Sequence, residues 1–363
     1  MKTVTLCMIV KDEEATLARA VAPFSGAVEE IVIADTGSRD RTKEIASSFS
    51  AEVFDFPWVD DFSAARNAVF ARSHGDYNLW LDADDVIDEK NLQAFLALKN
   101  RLTGEVGAYF FRYETAFDSR GNPTFWYYRE RLIRNTPEFR FSGAVHEAIS
   151  CRGRVEYTPV AIRHQPQKQK KPGRNLQIYR KMLREGRPFT ARDTYYFGRE
   201  LLENGKEAEA RRTLTAFLSL PDAWTENKIE ALVLLSDLAA RQGDLTLAYR
   251  RLCETFRLSP PRPEVCYALG NLLFSEKNYL AAADWYRRSL TAKSGMLGFR
   301  DKTRGGISAA LQLVVCYDRL GDRKRAYAYH KESERLDPEH PSVVYNRAYF
   351  AENPPYVPPK KLL

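Results

Sequence analysis

The sequence lacks any apolar run long enough to cross a membrane. A transmembrane helix needs roughly 20 consecutive apolar residues, and no stretch of the 363 residues approaches that length. The opening MKTVTLCMIVKDEE also meets charged residues too early for a secretory signal peptide. These two absences predict a cytoplasmic protein with no transmembrane segment.

Cysteine is scarce, and its spacing excludes a disulfide or zinc framework. The five cysteines are scattered, odd in number and without a CxxC pair: Cys7, Cys151, Cys253, Cys266 and Cys316. They are typical of buried thiols in a reducing cytoplasm. The formal net charge of +7 suits an acidic or phosphorylated ligand, but the basic residues are too dispersed to predict a nucleic-acid partner.

Glycine-rich phosphate-binding motifs are absent as well. The sequence has neither GxGxxG for a dinucleotide nor GxxxxGK[ST] for a P-loop. His146-Glu147 is not followed by the second histidine of HExxH, which excludes a zinc protease of that class. A bound nucleotide phosphate would need a metal ion and basic side chains, of which Arg66 is the nearest candidate. The alternative for Arg66 is a solvated position on a helix face.

The first 85 or so residues do contain a regular alternation of strands and helices. The predicted strands are 3–10, 30–35, 51–56 and 77–82, with helices at 13–24, 40–49 and 61–73. Such an alternation predicts an α/β fold whose parallel strands are joined by right-handed crossovers.

Acidic residues follow two of these strands. Strand 77–82 leads into Asp82, Asp84 and Asp85. Residues two apart on an extended chain point the same way, so Asp82 and Asp84 could share a divalent cation that also binds phosphate oxygens. Asp35 ends another strand and should face the same crevice, where an acid can accept hydrogen bonds from a nucleoside. The alternative is a polar turn, with Asp85 capping a helix that starts near Glu89.

Four segments together resemble glycosyltransferase family 2: MIVKDEE, ADTGSRDRT, AARN and LDADD. The resemblance covers roughly residues 1–164. It implies a GT-A fold, a Rossmann-like domain of inverting enzymes that use nucleotide-sugar donors, with a UDP-sugar favoured here. It also implies that Asp82 and Asp84 carry Mn²⁺ or Mg²⁺ on the donor diphosphate and that Asp35 contacts the nucleoside. Asp12 and Arg66 join this donor-binding set.

Beyond residue 85 the pattern predicts antiparallel strands, with a hairpin of 106–115 and 123–135 around 118–122. RLIR followed by GAVHE resembles a bacterial branch of the family, which includes lipopolysaccharide-core glucosyltransferases and sublancin-type peptide S-glycosyltransferases. The resemblance implies that Glu147 is the catalytic base, with His146 beside it. The alternatives are a Glu147–Arg140 pair and a core or edge position for His146.

His164 follows a further predicted strand, 155–162. Many GT-A enzymes recruit a late histidine as a metal ligand, so the resemblance makes His164 a candidate third ligand beside Asp82 and Asp84. An exposed histidine at a strand end is the alternative.

The second half has the composition of a helical repeat region. Residues 165–190 are predicted to be a basic, flexible linker or flap with a helix, which could close over the donor diphosphate. Residues 191–340 repeat with a period of about 34, and the repeats resemble tetratricopeptide repeats. The resemblance implies that glycine ends the first helix of a repeat and that alanine lets the second helix pack closely. The corresponding residues are Gly198, Gly205 and Ala210; Gly243, Ala248 and Pro260; Gly270, Ala282 and Tyr286; and Gly321, Ala326 and Pro338. Residues 341–363 are predicted to be a C-terminal helix and tail.

The combined prediction is an α/β GT-A domain followed by an all-α solenoid. The predicted function is metal-dependent transfer of a sugar, with inversion, from a nucleotide-sugar to an acceptor. A helical solenoid suits a peptide or protein acceptor or a homodimer, whereas the basic charge suits a lipopolysaccharide-type acceptor. The alternative is an interaction scaffold whose transferase domain is inactive.

Overall fold

The protein is described here by a computed structural model that covers residues 1–167, 172–293 and 298–354. The chain forms two compact units. The first contains residues 1–115 and 127–206, and the second contains residues 116–126 and 207–363. Within the described ranges, no helix combines the length and the apolar character that a membrane span requires.

The first unit is built on a mixed β-sheet. Its strands are β1 (Val4–Val10), β2 (Glu30–Asp35), β3 (Glu52–Asp55), β4 (Tyr77–Leu81), β5 (Asp85–Val86), β6 (Ala108–Phe117), β7 (Pro123–Arg134) and β10 (Val155–His164). A separate two-stranded sheet is formed by β8 (Phe141–Ser142) and β9 (Ala148–Ile149). The helices among these strands are α1 (Leu17–Val21), α2 (Thr42–Ser48), α3 (Phe62–Arg72) and α4 (Glu89–Asn100).

The sheet order is β3-β2-β1-β4-β7-β6-β10-β5. Strands β1 to β4 pair in parallel, which confirms the predicted α/β alternation. The expected antiparallel pattern beyond residue 85 is only partly correct. Strand β7 is antiparallel to β4, but β10 is parallel to β6. The long excursion through β8 and β9 lets the chain re-enter the sheet in this direction, because a parallel pair needs a long crossover.

Alternation along β1 shows how the sheet is buried on both faces. Leu6 and Met8 join a core with α1 and α4, whereas Cys7 lies in the opposite core with Val69 and Phe70 of α3. β1 is apolar apart from the buried Thr5, as expected of a strand in a sheet covered on both faces. This arrangement leaves the carboxyl ends of the parallel strands as the place for polar, functional side chains.

The first unit also includes α5 (Arg174–Arg184) and α6 (Ala191–Glu203). This division differs from the predicted boundaries at residues 164 and 190. Helix α6 starts at a capping box formed by Thr190 and Asp193, and apolar side chains of both helices are buried in the unit. Part of the predicted flap, residues 168–171, lies outside the described residues.

The second unit consists mainly of packed helices. They are α7 (Glu207–Leu218), α8 (Thr225–Arg241), α9 (Leu245–Glu254), α10 (Pro263–Ser275), α11 (Tyr279–Thr291), α12 (Ile307–Arg319), α13 (Arg323–Leu336) and α14 (Pro341–Glu352). The short strand β11 (Arg300–Asp301) pairs antiparallel with Trp126 and Phe125. The alanines predicted to permit close helix packing are fully buried: Ala210, Ala248, Ala282 and Ala326.

One repeat departs from the predicted glycine pattern. Gly243 and Gly321 follow α8 and α12 in the left-handed region, with φ of 81° and 75°. The third repeat instead places Lys277 there, at φ 60°. Gly270 lies inside α10, where an added Cβ would approach the Tyr286 ring to 2.5 Å. The assignment of Gly270 to the helix end is therefore wrong, because its lack of a side chain serves packing.

Candidate functional site

Three predicted site residues form one chain of ion pairs at the end of β4. Arg66 is buried, and its Nη2 lies 2.6 Å from Oδ1 of Asp82 while its Nε lies 2.7 Å from Oε1 of Glu147. Burial disfavours the guanidinium charge, but the two carboxylates raise the pKa of Arg66 above its usual value. Glu147 thus pairs with Arg66 and not with Arg140, whose guanidinium donates to the carbonyls of Thr136 and Phe139.

Helix α3 brings Arg66 to this point and also fixes the segment that carries Glu147. Asp61 caps the helix by accepting a hydrogen bond from the amide of Ala64. Asn67 exchanges two hydrogen bonds of 2.9 Å with the backbone of Phe141 in β8. The AARN segment therefore supplies both the cation between the acids and the side chain that holds the neighbouring strand.

The chain turns sharply directly after β4. The amide of Asp85 donates to the carbonyl of Asp82, and the amide of Asp82 donates to the Asp85 carboxylate. Because residues 82–85 are not extended, Asp82 and Asp84 do not share a direction as the sequence reasoning assumed. Asp82 turns to Arg66, and the carboxylate that lies with Asp84 is that of Asp85.

Asp84, Asp85 and His164 form the cluster in the described residues that could hold a metal ion. One ligand atom from each lies within 4.8 Å of the others. The antiparallel pairing of β10 with β5 sets His164 opposite Asp85. Oδ1 of Asp85 is buried without a hydrogen-bond partner. Two carboxylates and an imidazole suit Mn²⁺ or Mg²⁺, so the side chains present fit such an ion.

The two carboxylates also act on His164. Its Nδ1 lies 3.3 Å from Oδ1 of Asp84 and 3.8 Å from Oδ1 of Asp85. Burial alone would lower the pKa of His164, but the interactions with Asp84 and then Asp85 raise it to about 9. The imidazole of His164 therefore pairs with these two acids, and His164 is not an unpaired histidine at a strand end.

Asp85 forms an ion pair with Arg131 of β7. Arg131 is fully buried, places Nη2 3.0 Å from Oδ2 of Asp85, and donates to the carbonyl of Trp80. The cap of α4 is Asp88, so the alternative role of Asp85 as a helix cap does not apply. Sequence reasoning missed Arg131 as a site residue, although the RLIR segment contains it.

The Trp80 ring is the shared contact of three arginines. The guanidinium carbons of Arg66, Arg129 and Arg131 lie 4.5, 4.8 and 3.9 Å from its centroid. Arg129 also donates to the carbonyl of Glu147 over 3.3 Å. Cation–π contacts of this kind are stronger away from water, so the buried indole helps to keep three like charges close together.

Asp35, the last residue of β2, and Asp12, just after β1, lie at the same edge of the sheet. Oδ1 of Asp35 accepts from the amides of Gly37 and Ser38, each at 2.8 Å, while Oδ2 is buried without a partner. Asp12 has φ 54° and accepts from the amide of Arg39 over 2.7 Å. Asp35 therefore retains one acceptor oxygen for a ligand, whereas the hydrogen bond from Arg39 to Asp12 joins the segments that follow β1 and β2.

His146 does not face the Arg66 cluster. Its Nε2 lies 2.9 Å from Oε1 of Glu200, and its ring stacks on Tyr196 with centroids 4.1 Å apart. Two adjacent residues thus have different contacts, since Glu147 reaches Arg66 and His146 reaches α6. Nothing in the local sequence pattern pointed to Glu200, which lies 54 positions further along the chain.

Comparison with known proteins finds one family match in each part of the chain. Residues 5–153 match the family described as glycosyl transferase family 2, and residues 263–295 match a tetratricopeptide repeat. A TPR repeat-containing protein of Synechococcus elongatus is 32% identical over 299 residues, covering 80% of this chain and 66% of that protein. Glycosyltransferase SunS of Bacillus phage SPbeta is 25% identical over 287 residues, covering 70% and 63%. The chain therefore spans at most 66% of the length of these two relatives.

Two solved structures show a distant likeness to parts of the chain. The type IV pilus biogenesis factor PilW aligns with a TM-score of 0.40 and 17% identity, covering 48% of this chain and 74% of that chain. Glucosyl-3-phosphoglycerate synthase from Mycobacterium tuberculosis, in complex with Mn²⁺, uridine-diphosphate-glucose and phosphoglyceric acid, aligns with a TM-score of 0.26 and 21% identity, covering 32% and 45%. Alignments this weak carry no functional argument.

Proposed function

We propose that this chain, which consists of a glycosyl transferase family 2 domain followed by a tetratricopeptide-repeat region, is a metal-dependent inverting glycosyltransferase with a nucleotide-sugar donor. The observation that carries this proposal is the pairing of two groups at the end of β4. One is the Asp84–Asp85–His164 cluster, and the other is the Arg66 bridge between Asp82 and Glu147.

The first group would hold Mn²⁺ or Mg²⁺ on the donor diphosphate. A bound divalent ion would neutralise charge on the leaving nucleotide. The buried Oδ1 of Asp85 supports this role. It accepts no hydrogen bond from the described residues, with Nδ1 of His164 3.8 Å away, and a buried carboxylate oxygen without a hydrogen bond is costly unless a ligand satisfies it. Asp82 contributes through Arg66 and not as a direct ligand in this arrangement.

Asp35 would bind the donor, and Glu147 of the second group would activate the acceptor. Asp35 offers Oδ2 to the nucleoside, which a UDP-sugar would supply. Glu147 would take the proton of the acceptor as its oxygen, nitrogen or sulfur attacks the sugar carbon opposite the diphosphate. Arg66 holds Oε1 of Glu147, and Oε2 has no hydrogen-bond partner among the described residues. This free oxygen is the one that would receive the proton.

The repeat region would bind part of the acceptor or a second copy of the chain. Stacked helical repeats present extended surfaces that suit peptides and proteins. A peptide or protein acceptor and a lipopolysaccharide-type acceptor both remain compatible with the residues of the site.

Release of uridine diphosphate from UDP-glucose tests the proposal, with Mn²⁺ present and water as the acceptor. We expect slow, metal-dependent release that falls by roughly 10²-fold or more in Glu147→Gln, as for loss of a general base. Glu138→Gln is the matched control, because this acid is exposed and pairs with Arg134, outside the two groups of the site. Absence of release from UDP-, GDP- and dTDP-sugars alike would contradict the proposal and favour the interaction scaffold.

A further inference from the structure

The loop between β8 and β9 carries Glu147 and is held from two sides. On one side, the amide of Phe62 in α3 donates to the carbonyl of Ala144 over 2.9 Å. On the other side, Tyr179 of α5 contacts the carbonyl of Val145, with 3.4 Å between the two oxygens. Arg192 of α6 donates from Nε to the carbonyl of His146 over 2.9 Å. Consecutive backbone groups just before Glu147 are thus bound by three helices.

The His146 side chain adds a further attachment to these backbone contacts. Its backbone is in the left-handed region at φ 50°, which costs a residue with a side chain of order 1 kcal/mol and persists only where surroundings enforce it. Tyr196 lies flat against the imidazole, with 11° between the rings, and Glu200 binds Nε2. Asn175 of α5 donates to the same Glu200 oxygen over 2.8 Å. The side chain is therefore fixed between the two helices.

The acid that receives His146 is built as a carboxylate. Glu200 is buried, which alone would raise its pKa, but hydrogen bonds from His146 and then Asn175 lower its pKa below the usual value. A second contact between Lys181 of α5 and Asp60 joins α5 to the residue just before the α3 cap, at 2.6 Å. Helices α5 and α6 therefore contact both His146 in the Glu147 loop and the segment just before α3, the helix that carries Arg66.

We propose that α5 and α6 belong to the catalytic unit, and that His146 is a positioning residue that fixes the Glu147 loop by binding Glu200. This inference rests on the proposed function, in which Glu147 is the base. Both helices lie beyond residues 5–153, the part that matches the transferase family. His146 is adjacent to the base but orients the loop that carries it, because its ring nitrogen and ring face are already engaged by α6.

The experiment compares His146→Ala, His146→Gln and Glu200→Gln in the full chain. Misplacement of a reacting group by about 1 Å can cost on the order of 10²-fold in rate. We expect the rate constant for UDP-glucose hydrolysis to fall at least tenfold in His146→Ala and Glu200→Gln, with KM and Mn²⁺-dependent uridine diphosphate binding unchanged. His146→Gln should recover part of the rate, since its amide can still donate to Glu200. Amide hydrogen exchange in residues 143–147 should rise in the two impaired variants.

Glu203→Gln is the matched control, because this exposed acid lies one turn further along α6 and pairs with Arg199 at 3.8 Å. The His146→Ala/Glu200→Gln double variant should be no slower than either single variant, because the two side chains act as a pair. Equal loss in His146→Gln and His146→Ala, with loop exchange unchanged, would overturn the proposal and make His146 itself a proton carrier. A wild-type rate in His146→Ala would also overturn it. Failure of the wild-type protein to release uridine diphosphate would instead count against the proposed function.

Discussion

Arg66 offers the sharpest test of how the site is held together. Arg66→Met keeps much of the side-chain volume and removes the charge that Asp82 and Glu147 share. Removing one partner of a buried ion pair costs about 3–5 kcal/mol, chiefly because the remaining charge stays buried. Asp82 keeps 34% side-chain exposure and can be hydrated, whereas Glu147 keeps only 10%. We therefore expect a loss near the lower end of that range, about 3 kcal/mol.

The assay is unfolding by heat and by urea, read out by a probe of the first unit. A loss of about 3 kcal/mol corresponds to a fall of roughly 6–12 °C in the melting temperature of a unit this size. Because two units need not unfold together, amide hydrogen exchange in α3 and β4 should assign the change to the first unit. Arg72→Met is the control, since Arg72 lies on the same helix, is half exposed and pairs with Glu52 at 3.3 Å.

A second substitution separates charge burial from simple loss of contact. Arg66→Met/Glu147→Gln removes one of the two uncompensated carboxylates, so it should be more stable than Arg66→Met alone. Recovery of about 1 kcal/mol or more is expected, because most of the penalty comes from the unpaired buried charge. Equal stability of the Arg66→Met and Arg72→Met variants, or purely additive losses in the double variant, would refute the reasoning.

Two further predictions concern the repeat unit. Lys277→Gly should stabilise the unit by about 0.5–1 kcal/mol in urea unfolding, because the Lys277 backbone is in the left-handed region, which glycine adopts without strain. Gly321→Ala should destabilise the unit for the same reason, and changes of the opposite sign would contradict the interpretation. Hydrogen bonds from Lys331 and then Arg347 lower the pKa of Glu334 from 4.5 to about 2. The stabilisation that Glu334 gives the folded protein is therefore present above pH 4.5 and lost as the pH falls toward 2. The melting temperatures of wild type and Glu334→Gln should converge at low pH, and a constant difference between them would contradict this.

The sheet and its functional edge were predictable because they depend on short-range patterns. Buried parallel strands read as apolar runs, and the acids directly after them mark the edge where ligands bind. Asp35 and Asp82 were found in this way. Arg66 was a weaker prediction, since a helix face alone does not show whether an arginine meets water or a buried carboxylate.

The details of the acidic cluster could not be read from spacing alone. A two-residue spacing predicts a common direction only on an extended chain, and the turn at residues 82–85 breaks that condition. Asp85 therefore joins Asp84, while Asp82 joins Arg66. The buried partner Arg131 comes from β7, which antiparallel pairing sets beside β4, and that register was not fixed by local pattern.

The attachment of His146 shows the same limit over a longer distance. His146 and Glu200 are 54 residues apart, and only the packing of α6 brings them together. The repeat period also gave one wrong prediction. It placed Gly270 at a helix end, where the structure has the left-handed Lys277 instead. Such pairings follow from tertiary packing, which a single sequence does not reveal.

The most direct test of the central claim is calorimetric titration of the protein with uridine diphosphate, with and without Mn²⁺, in wild type and Asp84→Asn. Glu89→Gln is the control, because Glu89 is an exposed acid in the first turn of α4. We expect binding that depends on Mn²⁺ in wild type and control, and loss of that dependence in Asp84→Asn with little change in melting temperature. Equal affinity in Asp84→Asn and wild type would contradict the assignment of the Asp84–Asp85–His164 cluster as the metal site.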